Sequence, residues 1–430
     1  MPAAQPTLTH AHATEHVVDH VFGGATDPVS DACDRNGFGI ELEFLTGKAG
    51  FERLTLTDAE ALMARLDPLP RRSALTLEPG GQLELSTRCF ADLGAACEAA
   101  ATDLFHLDQA GAEAGIDLVA LGADPVRRPQ RIVTAPRYAA MEAFFDSGGP
   151  AGRTMMCNTA AIQINIGLGH GNEPTDRWRL ANSLGPTFIA CFANSPFAHG
   201  APAGWQSSRL RAWWALDPSR SKPVSTSGDP AACWVDYALD ARVMLIRSDD
   251  AFHAQPTPLR FAQWMANGHE LGWPTLDDWA YHLTTLFPPV RPKGWFELRM
   301  FDALPTPFWY VAAAVSHALL TDADAGHEAT AVVAGTEGLW IDAAQLGVGH
   351  PALATAGRRC FEIALRSLER TGAEAATVDA VGAYYDRWVA RGRCPADDQY
   401  DAWKRDGTLV PPRESPVPYG RDVSAGASWR

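Results

Sequence analysis

Leu75-Thr76-Leu77-Glu78-Pro79-Gly80-Gly81-Gln82-Leu83-Glu84-Leu85-Ser86-Thr87 holds two runs in which leucine alternates with a polar residue, on either side of a Pro-Gly-Gly centre. Alternation with period 2, bounded by Pro and Gly, predicts two short strands joined by a tight turn. Glycine suits the centre because such turns call for positive φ. A three-residue loop (Gly80, Gly81, Gln82) sets Glu78 directly against Glu84 on one face, whereas a two-residue loop sends the carboxylates to opposite faces. Like charges directly opposite one another are destabilising, so the first register needs a cation between them. The hairpin therefore reads either as a metal site or as a solvated acidic face.

Three further segments repeat this design. In Gly37–Leu45, Ile40, Leu42 and Phe44 fall on one face of a strand, with Glu41 and Glu43 on the other. Packing does not explain two glutamates on a half-buried strand. In Thr154–Gly167, Ile162, Ile164 and Ile166 alternate with Gln163 and Asn165. In Phe287–Asp302, Glu297 and Arg299 share a face opposite Phe296, Leu298 and Met300.

Helices are expected between these strands. A capping box at Thr57-Asp58-Ala59-Glu60 opens an amphipathic one, and an Ala-rich one covers about 91–114. Others start at Pro136, run from about Thr175 to Ala193 through Pro186, run from Asp277 to Leu286, and cover 307–321 and 354–391. Trp234–Leu239 and Val243–Ile246 read as further strand-like or buried runs. The stretch 204–220 is dense in Arg, Trp and Ser. Arginine forks bind carboxylate or phosphate bidentately and stack on indoles, so it reads as a recognition loop or as a surface loop of stacked Arg–Trp pairs. His12, His16 and His20 would share a face of a short helix, but no carboxylate or cysteine matches their spacing, and they read as solvent-facing.

With 430 residues, 46% of them apolar and 20% charged, the composition is that of a soluble globular protein. A net charge of −15 argues against a nucleic-acid partner or an anionic membrane surface. It leaves nucleotide binding open. The eight cysteines are scattered without a Cys-x-x-Cys pair and read as reduced thiols of a cytosolic protein. No run approaches the roughly 18 apolar residues of a membrane span, and the expected location is the cytoplasm. The expected organisation is a flexible lead-in over 1–30, one catalytic domain over 31–408 and an irregular tail over 409–430, as a monomer or weak dimer.

Glu41, Glu43, Glu78, Glu84 and Glu297, with Arg nearby, carry more negative charge than one site tolerates unless divalent cations fill it. All-oxygen ligands without His or Cys point to Mg²⁺, with Mn²⁺ as the alternative, rather than to zinc. Mg²⁺ held by carboxylates commonly bridges nucleotide phosphates, which suggests ATP-dependent phosphoryl transfer. There is no Gly-x-x-x-x-Gly-Lys-Ser/Thr loop. From residues alone the fold class is α+β, a curved, mainly antiparallel sheet with helices outside, built for Mg–ATP chemistry.

The chain resembles the glutamate–cysteine ligases of the branch that includes plant enzymes and the actinobacterial ligases of ergothioneine biosynthesis. The matching segments are Gly39-Ile-Glu41-Leu-Glu43, Glu78-Pro-Gly-Gly-Gln-Leu-Glu84-Leu-Ser86, Arg137-Tyr138-x-x-Met141 and Met155-Met156-x-x-Thr159-x-x-x-Gln163-x-Asn165. They continue through Phe192–Phe197, Ser208-Arg209-x-x-x-Trp213-x-x-x-Asp217-x-x-Arg220, His282–Arg291 and Glu297-Leu-Arg299. The resemblance covers roughly residues 37–305. It implies a glutamine synthetase-like fold in which ATP phosphorylates the γ-carboxylate of L-glutamate and the amine of L-cysteine then attacks. It implies Mg²⁺ ligation by Glu41, Glu43, Glu78, Glu84 and Glu297, with Arg299 and Glu297 at the transferring phosphoryl. It further implies Arg209 with Trp213 as the clamp on the glutamate α-carboxylate, Gln163 and Asn165 lining the site, and Arg220 and Lys293 as phosphate contacts. The Ala- and Arg-rich composition leans toward the ergothioneine branch. A sister carboxylate–amine ligase with another amine acceptor is the rival reading, and a non-catalytic metal- or nucleotide-binding module the remoter one.

Overall fold

The alternating segments pair into one antiparallel sheet. A computed structural model describes residues 8–23, 35–248 and 251–412. Its main sheet has seven strands: β1 (Phe38–Gly47), β2 (Ala74–Leu77), β3 (Leu83–Ser86), β4 (Asp117–Val119), β5 (Ala161–Gly167), β6 (Val290–Pro292) and β7 (Trp295–Asp302). The order in space is β6-β7-β5-β1-β3-β2, with β4 pairing the last residues of β1. Every pair is antiparallel. The helices around it include α1 (His10–His16), α2 (Leu93–Glu113), α3 (Pro136–Asp146), α4 (Ala151–Asn158), α5 (Glu173–Phe192), α6 (Ser208–Trp214), α7 (Pro230–Asp240), α8 (Leu276–Leu283), α9 (Trp309–Thr321) and α10 (Pro351–Thr371).

One face of the sheet is the floor of the core. Phe38, Ile40, Leu42 and Phe44 of β1, Ile162, Ile164 and Ile166 of β5 and Phe296 and Leu298 of β7 are buried there with Trp178 and Phe188 of α5 and Trp309 of α9. Burial of each such side chain is worth about 1.5–3 kcal/mol. Because the side-chain period is 2, the residues between them are turned to the opposite face.

Two local features set the aim of that second face. The hairpin pairs Leu77 with Leu83 and Thr76 with Glu84, and the Glu78 N–H donates to the Gln82 carbonyl at 2.8 Å. The loop is thus Pro79-Gly80-Gly81, one residue earlier than the expected three-residue loop, and Glu78 and Glu84 share a face in a staggered rather than a direct pairing. Gly81 has φ 94°, and a Cβ on Gly80 would lie 2.2 Å from the Cys157 carbonyl oxygen. On β7 the pairing with β5 shifts between Leu298 and Phe301, so Arg299 and Met300 stand opposite the single residue Gln163. This bulge re-aims the strand at its most chemically loaded point.

Several expectations change. Trp234–Leu239 lies on the helix α7 rather than a strand, because a short buried apolar run does not distinguish the two. The stretch 204–220 is not a surface loop; it folds into α6 and the short helix Pro218–Ser221, with Arg209 and Arg220 buried. The helix Leu56–Ala64 is capped by Thr55 and Asp58, two residues before the expected box. The expected lead-in contains α1 and a π turn, Val17–Val21, whose Ala13, Val17 and Val21 enter the main core. Six described cysteines are free thiols, but Cys89 is disulfide-bonded. The expected tail lies mostly outside the described residues. No helix among the described residues is long and apolar enough to cross a membrane.

Candidate active site

The polar face of the sheet floors a cleft of about 670 Å³. β1 supplies Glu41 and Glu43, the β2–β3 turn Glu78, β3 Glu84, β5 Gln163, and β7 Glu297 and Arg299. Arg137, Tyr138 and Met141 of α3, with Met155 and Met156 of α4, wall one side. Trp213 of α6, residues of α8, and Lys293 complete it, together with His16 of α1 and His20 of the π turn.

The carboxylates on the floor are crowded. Glu43 stands directly opposite Glu84 in the β1–β3 pairing. The Gln163 amide bridges them, its Nε2 donating to Glu43 at 2.9 Å and reaching Glu84 at 3.5 Å. Asn165 donates to Glu41 at 2.8 Å and accepts from Trp295 Nε1 at 2.9 Å. Burial, and then repulsion from Glu78, raises Glu43 to about 7. Burial and Glu84 raise Glu78 to about 7, and burial with Glu41 and Glu43 raises Glu84 to about 8. Burial and then Glu297 raise Glu41 as well. Four carboxyl groups that resist ionisation together are the donor set a divalent cation would relieve. Among the described residues no trio of His, Cys, Asp and Glu groups is already closed to metal-holding geometry.

Glu297 differs from its neighbours. Arg291 grips it with two bonds of 2.7 and 2.9 Å, Lys293 reaches it at 3.1 Å and Arg299 at 2.7 Å. Burial opposes its ionisation, but Arg291, Arg299 and Lys293 outweigh that and hold its carboxyl well below the usual range. In this arrangement Glu297, expected as a metal ligand, is the counter-ion of three cations. Arg299 also donates to the Gln163 carbonyl oxygen, and its guanidinium lies 5.6 Å from the Trp213 ring centroid.

Two expected ligand contacts lie off the cleft. Arg209 is 2% exposed; its Nη2 donates to the Arg299 carbonyl at 2.7 Å and its Nη1 sits 3.7 Å from Asp302. Asp302 in turn accepts from the Asn194 N–H at 2.8 Å, Ser195 Oγ at 2.7 Å and Ser207 Oγ at 2.9 Å. Arg209 therefore props the bulge through the Arg299 carbonyl, while its buried Nη1 has no hydrogen-bond partner. Arg220 is fully buried, bonded to the Thr285 carbonyl at 2.6 Å and to Asp217 at 3.2 Å, and ties helices together. Conversely, Arg291 was assigned no contact in advance, nor was Arg137, whose buried Nε has no partner. His16 and His20 also line the cleft, and their spacing of four was the available signal.

The antiparallel sheet turns carboxylates, amides and the arginines Arg291 and Arg299 into a cleft and its aliphatic face onto helices, a glutamine synthetase-like fold. The glutamate–cysteine ligase (gshA) of Francisella tularensis, solved in complex with AMP, shares the fold with a TM-score of 0.54 at 13% identity over 86% of each chain. The profile of glutamate-cysteine ligase family 2 (GCS2) matches residues 37–415, and the chain belongs to that family. It is 38% identical to the glutamate–cysteine ligase EgtA of Mycobacterium tuberculosis over 93% of this chain and 94% of that protein. With the chloroplastic glutamate–cysteine ligase of Brassica juncea it shares 33% identity over 54% of this chain and 47% of that one.

Proposed function

We infer that the protein joins L-glutamate to L-cysteine with ATP, through γ-glutamyl phosphate, to give γ-glutamylcysteine. The observation that carries this reading is the single polar face that sets Glu41, Glu43, Glu78 and Glu84 beside the Glu297–Arg299 pair, in a chain of this family.

The glutamate γ-carboxylate attacks the terminal phosphorus of ATP and ADP leaves. Arg299, held by Glu297 and Gln163, is placed to donate to the transferring phosphoryl oxygens. The cysteine amine then attacks the acyl carbon, phosphate leaves, and the amine loses a proton. Glu41, Glu43, Glu78 and Glu84 would hold Mg²⁺ or Mn²⁺, which supplies charge neutralisation at the phosphates. The Met141, Met155 and Met156 wall suits the thiol side chain, and Arg137, whose buried Nε has no partner, is placed to bind a substrate carboxylate. Lys293, which lines the cleft, would contact the phosphates.

One catalytic unit over 31–408, with α1 added to it, carries the reaction. Full-length similarity to the mycobacterial EgtA ligase, against half-length similarity to the plant enzyme, supports a product destined for ergothioneine. ATP as a substrate supports action in the cytoplasm. The test is ADP release with Mg²⁺, ATP and glutamate, with and without cysteine, and with product mass read alongside. Cysteine-dependent release with a γ-glutamylcysteine mass is expected; release that ignores cysteine but answers another amine refutes the acceptor.

A further inference from the structure

Helix α1 and its π turn precede the family match, which begins at residue 37, yet they form a wall of the cleft. The segment is built to stay there. Thr9 caps α1 in a reciprocal box with His12, and Ala13, Val17 and Val21 form a buried stripe at spacings of four. Phe22 packs edge-on against Trp178 and Phe296, each at 6.3 Å. Arg35 Nη1 donates to the Gly23 carbonyl at 2.8 Å. The Gly294 N–H donates to the Val21 carbonyl at 2.9 Å, which ties the end of the helix to the β6–β7 turn. His20 and Lys293 thus each precede one partner of the same hydrogen bond.

The stripe beside the buried one carries the histidines. The rings of His16 and His20 stack at 4.6 Å with 16° between their planes, and both line the cleft. His20 Nδ1 contacts the His16 carbonyl at 3.2 Å. A carbonyl only accepts, so Nδ1 carries the hydrogen, and Nε2 donates toward the cleft only in the doubly protonated, cationic ring. No carboxylate or cysteine joins the pair in a metal-holding group among the described residues. Lys293 lines the same cleft. A triphosphate entering a cleft floored by four glutamates needs nitrogen donors on its walls, and this rim supplies the Lys293 ammonium and two imidazoles, which donate to it as imidazolium.

We propose that the His16–His20 pair contacts the phosphate chain of ATP, so that α1 is a working wall of the active site. The proposal rests on reading the cleft as the ATP site of a ligase. The test compares the full-length protein with a His16→Ala/His20→Ala double variant and with His10→Ala, which alters the same helix away from the cleft. The KM for ATP should rise about tenfold in the double variant, the size of one lost charge-assisted hydrogen bond. Inhibition by inorganic triphosphate should weaken by the same factor. The kcat and the KM for cysteine should stay near wild type, and His10→Ala should change nothing. A His16→Gln/His20→Gln variant, which keeps side-chain N–H donors, should recover part of the loss. An unchanged KM for ATP, or a raised one with triphosphate inhibition unaltered, overturns the proposal. If wild-type protein releases no ADP with any amine, the ligase reading itself has failed, and the two failures are told apart.

Discussion

Glu84 concentrates the chemistry of the cleft at one residue. It faces Glu43 across the strands, accepts from Thr76 and Ser86 at 3.1 Å each, and is pushed up to about 8 by burial and by Glu41 and Glu43. Glu84→Ala should abolish ATP turnover while leaving the thermal midpoint unchanged or higher, because it removes one of four mutually repelling groups. A folded variant with near wild-type turnover would sink the role of the hairpin. Arg299→Lys should lower kcat by about 100-fold or more, since one ammonium does not reproduce a fork that holds Glu297 and Gln163 while reaching a phosphoryl oxygen. Steady-state kinetics at saturating ATP would check it. The floor was largely legible in the sequence, because alternation with period 2 places Glu41, Glu43, Gln163 and Glu297 without further information. The environment of Glu297 was not. Its bonds to Arg291 and Lys293 arise from how β6 and β7 turn back on each other, which residue identity alone does not convey.

The element on which most depends is the bulge of β7. It lets Arg299 face the cleft while Phe301 drops into the core 5.2 Å from Phe188, and Arg209 and Asp302 lock it from behind. Asp302→Ala would leave the Arg209 guanidinium buried without a counter-ion and strand three donors. That should cost about 3–5 kcal/mol of stability, read as a lower urea midpoint, with activity falling in the protein that remains folded. A midpoint within error of wild type would mean that the network is not structural. The family resemblance assigned Arg209 and Arg220 to ligands by their positions in a matching segment, where arginine beside tryptophan also has the chemistry of a clamp. Whether such a side chain meets substrate or a backbone carbonyl is decided by the packing of α6 under the sheet, which is a tertiary fact. The hairpin register escaped for a similar reason: a Pro-Gly-Gly centre is compatible with several loop frames, and the Cys157 carbonyl against Gly80 selects one.

At the scale of the whole molecule, two sets of buried groups titrate in opposite senses. Glu43, Glu78 and Glu84 have folded values of about 7 to 8 against a reference of 4.5. The unfolded chain ionises first as pH rises, so the metal-free protein loses stability between those values. His282 is lowered from 6.5 to about 3 by burial and then by Arg220. The unfolded chain takes up that proton first as pH falls below 6.5, so stability is lost on that side too. The metal-free thermal midpoint should therefore fall from about pH 6 toward pH 8, and Mg²⁺ should raise it more at the upper end, where the carboxylates have most to gain. Scanning calorimetry at both values, with Mg²⁺ and with chelator, would show it. An equal Mg²⁺ effect at both would argue against these carboxylates as the ligands.

The seven strands also bear on how the gene can change in length. Every chemical residue of β1 and β5 alternates with a core residue, and β1 lies between β3 and β5. Deleting one codon inside residues 39–44 would turn Ile40, Leu42 and Phe44 toward water on one side of the lesion and bury the glutamates in their place. Insertions and deletions among functional relatives should accordingly gather in connecting segments such as 268–274, and a library of single-codon deletions should read out the sheet as a run of lethal positions.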